Sequence, residues 1–212
     1  ALRVAGELTI VGEGRESTLL RFTVETSAAD KDYAGFFVAG GNNFQLTDIR
    51  LEEDLHQDFE LFELSGVLFE SSGRDTACLV ENVDIDGFTH CLRSPSSGPD
   101  GGLGELFLTV RNCDLHPWWQ YCIAFWTNPN GHKRLHVYDS NLHDNKHSHL
   151  VYCHPHNSVH IENTRFDGAT AWAFQLQGSE VAGDPEYQRF VGCWFGAHNS
   201  RGIITQDRAQ VA

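Results

Sequence analysis

Leu135-His136-Val137-Tyr138-Asp139-Ser140-Asn141-Leu142 and, 24 residues on, Val159-His160-Ile161-Glu162-Asn163-Thr164-Arg165-Phe166 share one pattern: apolar, x, apolar, x, Asn or Asp, small, x, apolar. The alternation has the two-residue period of a strand, and the Asn or Asp interrupts it where one strand can turn into another. The frame recurs at Phe44 to Leu51, Cys78 to Ile85 and Leu108 to Leu115, with a weaker copy from Gln188 to Phe195. Between the turn residues Asp48, Asn82, Asn112, Asp139, Asn163 and Gly192 the intervals are 34, 30, 27, 24 and 29. A fixed phrase with elastic spacing means a rigid repeated unit joined by loops of free length.

The pattern resembles the right-handed parallel β-helix of the pectate-lyase-like superfamily. Asn82, Asn112 and Asn163 are similar to that family's stacked asparagine turn, and Leu8 to Gly14 with Thr18-Leu19-Leu20 resembles its first coil. The resemblance implies an all-β fold, a right-handed single-stranded parallel β-helix of roughly seven coils with three strands per coil, and one domain over residues 1–212. Third strands are expected at Phe36 to Ala39, Phe59 to Leu64, Cys91 to Arg93, Ile123 to Trp126, Leu150 to Tyr152, Phe174 to Gln177 and Ile203 to Gln206. Activity does not follow from this architecture, which carries lyases, hydrolases, epimerases, phage tailspikes and non-enzymatic surface proteins.

Composition narrows the partners. With 212 residues, 41% of them hydrophobic and 11% aromatic, the chain can bury a sizeable core. A net charge of −14 repels a phosphate backbone, so nucleic acid is excluded as partner, and a polyanionic ligand needs a local basic patch or a bridging cation. No apolar run approaches the roughly 18 to 20 residues of a membrane helix. The chain starts at Ala1 and has no Met, and a β-helix leaves unpaired strand edges at both ends. We therefore expect the rest of a parent chain, or a homo-oligomeric partner, to cap it. Six Cys show no CxxC spacing; Cys113 and Cys193 share a small inward column with Ser140 and Thr164, which reads as buried free thiols. A rung spacing of about 4.8 Å also leaves a Cys91 to Cys122 disulfide open.

Twelve His are present, eight of them between His132 and His160, and His143-Asp144-Asn145-Lys146-His147-Ser148-His149 leads into a third strand. Counting four residues past each turn residue gives Glu52, Asp86, His116, His143 and Asp167, an outward column. Such a column either holds a divalent cation, with His116 and His143 as metal ligands, or forms a solvated polar ladder. Zinc suits the imidazoles; calcium is the cation the resemblance implies, although the family's calcium-binding Asp cluster is not recognisable. Opposite charges should also meet on neighbouring rungs at Glu81/Arg111 and Arg50/Asp84, and His136 should lie beside His160.

Trp118, Trp119, Tyr121, Trp126 and Trp172 gather near the His-rich loop. Their rings suit the apolar faces of sugars, with Gln175, Gln177, Asn199 and Arg201 to bind hydroxyls or a carboxylate; the alternative is that Trp119 and Trp172 cap the core. A glycoside hydrolase needs two carboxyl groups some 5 to 9.5 Å apart, for which Asp144 and Asp167 are the candidates. A polysaccharide lyase acting on a uronic acid needs a base, His147 or His149, and a cation, Arg201, Lys146 or a bound metal. The expectation is an extracellular, cell-surface or virion β-helix that binds, and in a lyase-like way processes, an acidic polysaccharide. The alternative is a non-catalytic structural or adhesive module of a larger surface protein. In an enzyme, His147 or His149 should converge with Asp144, Asp167 or Arg201; in a scaffold these groups should be dispersed.

Overall fold

Each of the six turn residues adopts the left-handed conformation: φ is 57° at Asp48, 53° at Asn82, 50° at Asn112, 50° at Asp139, 49° at Asn163 and 61° at Gly192. Asn, Asp and Gly are the residues that visit this region at least cost, so the repeated phrase is a backbone corner written in side chains. The corners stack. Asn82 Nδ2 donates to Asp48 Oδ1 at 2.5 Å, Asn112 Nδ2 to Asn82 Oδ1 at 3.2 Å and Asn163 Nδ2 to Asp139 Oδ1 at 3.3 Å. The small residue after the corner ties back to the carbonyl two residues earlier: Cys113 to Arg111, Ser140 to Tyr138, Thr164 to Glu162 and Cys193 to Val191. The same groups also link rungs: Ser140 Oγ accepts from the Cys113 N–H at 3.1 Å, and the Cys113 and Cys193 thiols reach the Val80 and Ile161 carbonyls.

The computed structural model describes residues 2–4, 6–23, 32–39, 41–53, 63–70, 75–94, 105–126, 133–154, 157–177, 188–196 and 202–206. The first coil has β1 (Leu2–Val4), β2 (Leu8–Val11) and β3 (Leu19–Phe22). The next two coils, β4 (Asp32–Val38) with β5 (Phe44–Glu53) and β6 (Glu63–Phe69) with β7 (Thr76–Asp86), carry the corner inside one long strand. Three-stranded coils follow: β8 (His90–Ser94), β9 (Leu106–Arg111), β10 (Asp114–His116); then β11 (Tyr121–Phe125), β12 (Lys133–Tyr138), β13 (Asn141–His143). The last are β14 (Val151–Cys153), β15 (Asn157–Glu162), β16 (Arg165–Asp167); and β17 (Phe174–Gln177), β18 (Gln188–Val191), β19 (Trp194–Phe195), with β20 (Ile203–Gln206) beyond.

Neighbouring coils pair in parallel, as at β12 with β15 and β11 with β14. One sheet has eight strands in the order β1-β4-β6-β8-β11-β14-β17-β20, and the strands flanking the corner form a twelve-stranded sheet. The fold is an all-β parallel solenoid of about five turns. Six corners bound those turns, fewer than the roughly seven coils expected, and two of the coils carry two strands rather than three. Among the described residues there is no helix, and so none long and apolar enough to cross a membrane.

Apolar positions stack into the core in the expected register. Leu46, Val80, Val110, Val137 and Ile161 follow one another rung by rung, all fully buried; each contributes on the order of 1.5–3 kcal/mol by burial. The strand expected over Phe59 to Leu64 instead runs from Glu63 to Phe69, and residues 59–62 lie outside the described residues. Gly66, which breaks the apolar run in the text, sits inside that strand. A Cβ there would stand 2.8 Å from the Cys91 carbonyl oxygen and 2.8 Å from Ile85 Cγ2.

All six Cys are free, five of them buried. Cys91 and Cys122 donate to the Ile85 and Leu115 carbonyls rather than bonding each other. At the ends, β1, β2 and β3 pair on one side only among the described residues, as do β18, β19 and β20. Leu2, Val11 and Leu19 are exposed at the first end and Trp194 at the other.

Candidate functional site

The column counted from the corners exists, and it is a hydrogen-bonded ladder. The rings of His116 and His143 stack at 5.0 Å and 12°. His116 donates from Nε2 to Asp84 at 2.9 Å and from Nδ1 to Asp86 at 3.1 Å; His143 donates from Nε2 to Asp114 and from Nδ1 to Asp144, each at 2.7 Å. Desolvation lowers the His116 pKa, but the bonds and charges of Asp84 and Asp86 outweigh it and raise the value to about 10. His143 is also raised: desolvation opposes, and the hydrogen bonds to Asp114 and Asp144 win. Asp114 is held below the usual carboxylate range, chiefly by its bond to His143. The expected ion pairs close alongside, Arg50 to Asp84 at 3.4 Å and Arg111 to Glu81 at 3.3 Å. His136 and His160 lie 5.7 Å apart on the outer face of the twelve-stranded sheet.

With four ring nitrogens already on four carboxylates, His116 and His143 form a charge ladder. Among the described residues no group of three or more His, Cys, Asp or Glu is arranged to hold a metal ion.

The aromatic residues divide between two places. At the corner leading into the eight-stranded sheet, the His147 ring lies flat on Trp119 at 4.6 Å and 4°, and Lys146 Nζ stands 3.0 Å from the centre of the Trp118 ring. Both Trp rings also pack against the core, so the capping alternative holds for Trp119, with one face of each ring already occupied.

Tyr121, Trp126, His149 and Gln175 lie elsewhere, on the outer face of the eight-stranded sheet. Ile123, Val151 and Phe174 of β11, β14 and β17 belong to the core, while their neighbours Ala124, Tyr152 and Gln175 stand on the other side. Tyr121, Trp126 and Tyr152 form a triangle of rings, with centroids 5.5 Å (Tyr121–Tyr152), 5.8 Å (Trp126–Tyr152) and 6.1 Å (Tyr121–Trp126) apart. His90 stacks on Tyr121 at 5.4 Å and 10°, His149 at 6.2 Å and 18°, and His154 meets Tyr152 at 5.6 Å. The Arg93 guanidinium lies 5.1 Å from the Trp126 centroid. Behind this face, Lys133 is buried: its ammonium donates to Ser94 Oγ at 2.6 Å and to the Trp126 carbonyl. Desolvation lowers its pKa to about 7.

Asp144 and Asp167 stand on neighbouring rungs, the Asp144 N–H donating to the Asp167 carbonyl at 3.2 Å, but the side chains of the expected catalytic groups turn to other partners. His147 lies on Trp119 and His149 on Tyr121; Asp144, at φ 59°, binds His143, and Asp167 binds Arg165 at 2.8 Å. Trp172 is half-buried before β17. Arg201, Asn199 and the Gln177 side chain lie outside the described residues. Sequence reasoning missed His90, Arg93, Tyr152 and His154, all of which join the ring cluster. Their signal was the register of the third strands, β8 against β11 against β14.

No protein-family model, curated protein or solved structure matches this chain.

Proposed function

We propose that this chain binds a polysaccharide on the outer face of its eight-stranded sheet, at an extracellular, cell or virion surface. The observation that carries the reading is the contiguous cluster of Tyr121, Trp126, Tyr152, His149 and His154, whose rings are half-buried and held mutually in place. Rigid amphipathic rings on a sheet offer flat apolar faces at little entropic cost, which suits the C–H faces of sugars. The asparagine corner supports placing the chain in the pectate-lyase-like superfamily. The cation of the described cluster, Arg93, is itself buried against Trp126, within a chain of net charge −14. Cleavage is not part of the proposal, because the His147 and His149 rings lie on Trp119 and Tyr121 and the Asp144 carboxylate binds His143.

Affinity electrophoresis against polygalacturonate, alginate, xylan and soluble β-glucan tests the reading. At least one polymer should retard the protein, and Trp126→Ala should weaken that binding about tenfold, roughly 1.4 kcal/mol. Retardation by none, or Trp126→Ala binding like the parent, would overturn it. Unsaturated product absorbing in the ultraviolet would instead restore a lyase.

A second reading, a structural module stacked on a second copy or on more of its own chain, draws on the half-paired strands at both ends. Light scattering across a hundredfold range of concentration should then show association; a constant monomer mass would count against a second copy.

A further inference from the structure

Two outward columns of the twelve-stranded sheet change character at the two ends of the described solenoid. Just before the corner, the column reads Thr47, Glu81, Arg111, Tyr138 and Glu162 through the interior coils, but Val11 in the first coil and Val191 in the last. Just after it, the column reads Arg50, Asp84, Asp114, Asn141 and Arg165, with Leu19 and Trp194 at its ends. Val11 is 65% exposed, Trp194 50% and Leu19 45%. Of the large apolar side chains exposed among the described residues, only Phe107 lies on a side wall; these three and Leu2 are in the terminal coils. The inward column that buries Leu46 and Ile161 completely leaves its own ends, Ile10 and Phe190, half-buried. A solenoid that ends in water needs terminal coils with a polar outer face, and a bare strand edge needs charge or a cover. Here the terminal coils are the ones that turn apolar.

We propose that the two ends cover each other: the last coil of one molecule stacks on the first coil of a second copy, head to tail, in the register the interior coils already use. This rests on the stacked-module reading above and commits it to a second copy. Continuing the register sets Val191 against Val11 of the next copy, Trp194 against its Leu19 and Phe190 against its Ile10. Trp194 has the Arg165 guanidinium 4.4 Å from its ring centre on the preceding rung, and Leu19 of the next copy takes the following rung. The backbone agrees. In the interior, each corner N–H donates to the following coil, as Asn163 does to Val191, and each strand after the corner donates to the preceding one, as Trp194 does to Thr164. The same rule gives the Gly192 N–H to the Val11 carbonyl of the next copy, and the Leu19 N–H of that copy to the Cys193 carbonyl. Such a contact is heterologous and leaves each stack one free end of either kind, so it builds an open filament rather than a closed dimer. A net charge of −14 opposes the stacking, and salt, which screens that repulsion, should favour it.

The test is disulfide trapping in the full chain at high salt. Rung neighbours lie about 4.8 Å apart, within the reach of a disulfide. Val11→Cys and Val191→Cys, made separately and mixed under mild oxidation, should give a cross-linked dimer with one of each, above the background set by the chain's own six free Cys. The double variant V11C/V191C should give a ladder of longer oligomers, while Val11→Cys mixed with Phe107→Cys should stay at background. Trp194→Asp, a change at an exposed position, should weaken association about tenfold in light scattering, and Phe107→Ser should leave it unchanged. Association without the Val11–Val191 cross-link, or Trp194→Asp associating like the parent, would overturn the head-to-tail register and leave stacking in another geometry standing. A monomer mass constant with concentration at high salt would remove stacking on a second copy altogether.

Discussion

Two pairs of histidines, on two walls of one solenoid, have opposite fates. His116 and His143 stack at 5.0 Å with all four nitrogens on carboxylates. His90 and His149 face Tyr121 from either side, and three of their four nitrogens have no partner. The first pair is pushed toward the charged form and the second toward the neutral one. In a solenoid the neighbours of a side chain come from the rungs above and below. The ladder's rungs supply Asp84, Asp86 and Asp114; the outer face supplies Ser65 and Tyr121. A histidine's charge is therefore set by its column.

The largest expected effect is at the ladder. His116→Phe leaves Asp84 and Asp86 with Arg50 as their remaining partner and should cost about 2 kcal/mol at pH 6 in a denaturant titration. Because the folded pKa of His116 is raised from 6.5 to about 10, its contribution is complete below about pH 6.5 and fades as the pH climbs toward 10. The deficit of the variant should shrink over that range; a deficit constant from pH 6 to 10 would break the comparison.

His90→Phe should act with the opposite sign. It removes two unpartnered nitrogens while keeping a ring against Tyr121, and should stabilise by about 1 kcal/mol in the absence of glycan; a loss of stability would show that His90 is satisfied within the fold. His149 adds an acid limb. Its folded pKa is depressed from 6.5 to about 4, so the stability it contributes is present above about pH 6.5 and lost as the pH falls toward 4. His149→Phe should flatten thermal stability over that acid range while leaving the alkaline limb of the ladder intact. The smallest effect is expected at the exposed Arg111–Glu81 pair, where Arg111→Ala should cost about 0.5 kcal/mol or less. A larger loss would mean that rung-to-rung charge, rather than burial, sets the scale.

The corners were legible because a left-handed φ restricts residue choice, so Asn82, Asn112, Asp139 and Asn163 announce themselves in the text. Counting four residues on from them locates His116 and His143, since β10 and β13 leave the corner in a fixed register. The outer face was not legible in the same way. From corner to the Tyr121 column the chain takes eight residues at Asn82 to His90, nine at Asn112 to Tyr121 and ten at Asp139 to His149. Counting therefore loses the register before the third strand begins. His147 lies on Trp119 for the same reason, and a roll of nearby aromatic residues could not show that Trp118 and Trp119 turn to the corner while Tyr121 and Trp126 turn to the sheet.

Imidazole ¹⁵N shifts recorded from pH 5 to pH 8 in the ligand-free protein test the opposition of the two columns most directly. His116 should remain an imidazolium at pH 8 and His143 should titrate above 6.5, while His149 should stay neutral down to pH 5 and His90 should titrate well below 6.5. Either of the latter titrating near 6.5, or His116 neutral by pH 8, would contradict the assignment of charge to the ladder and neutrality to the outer face.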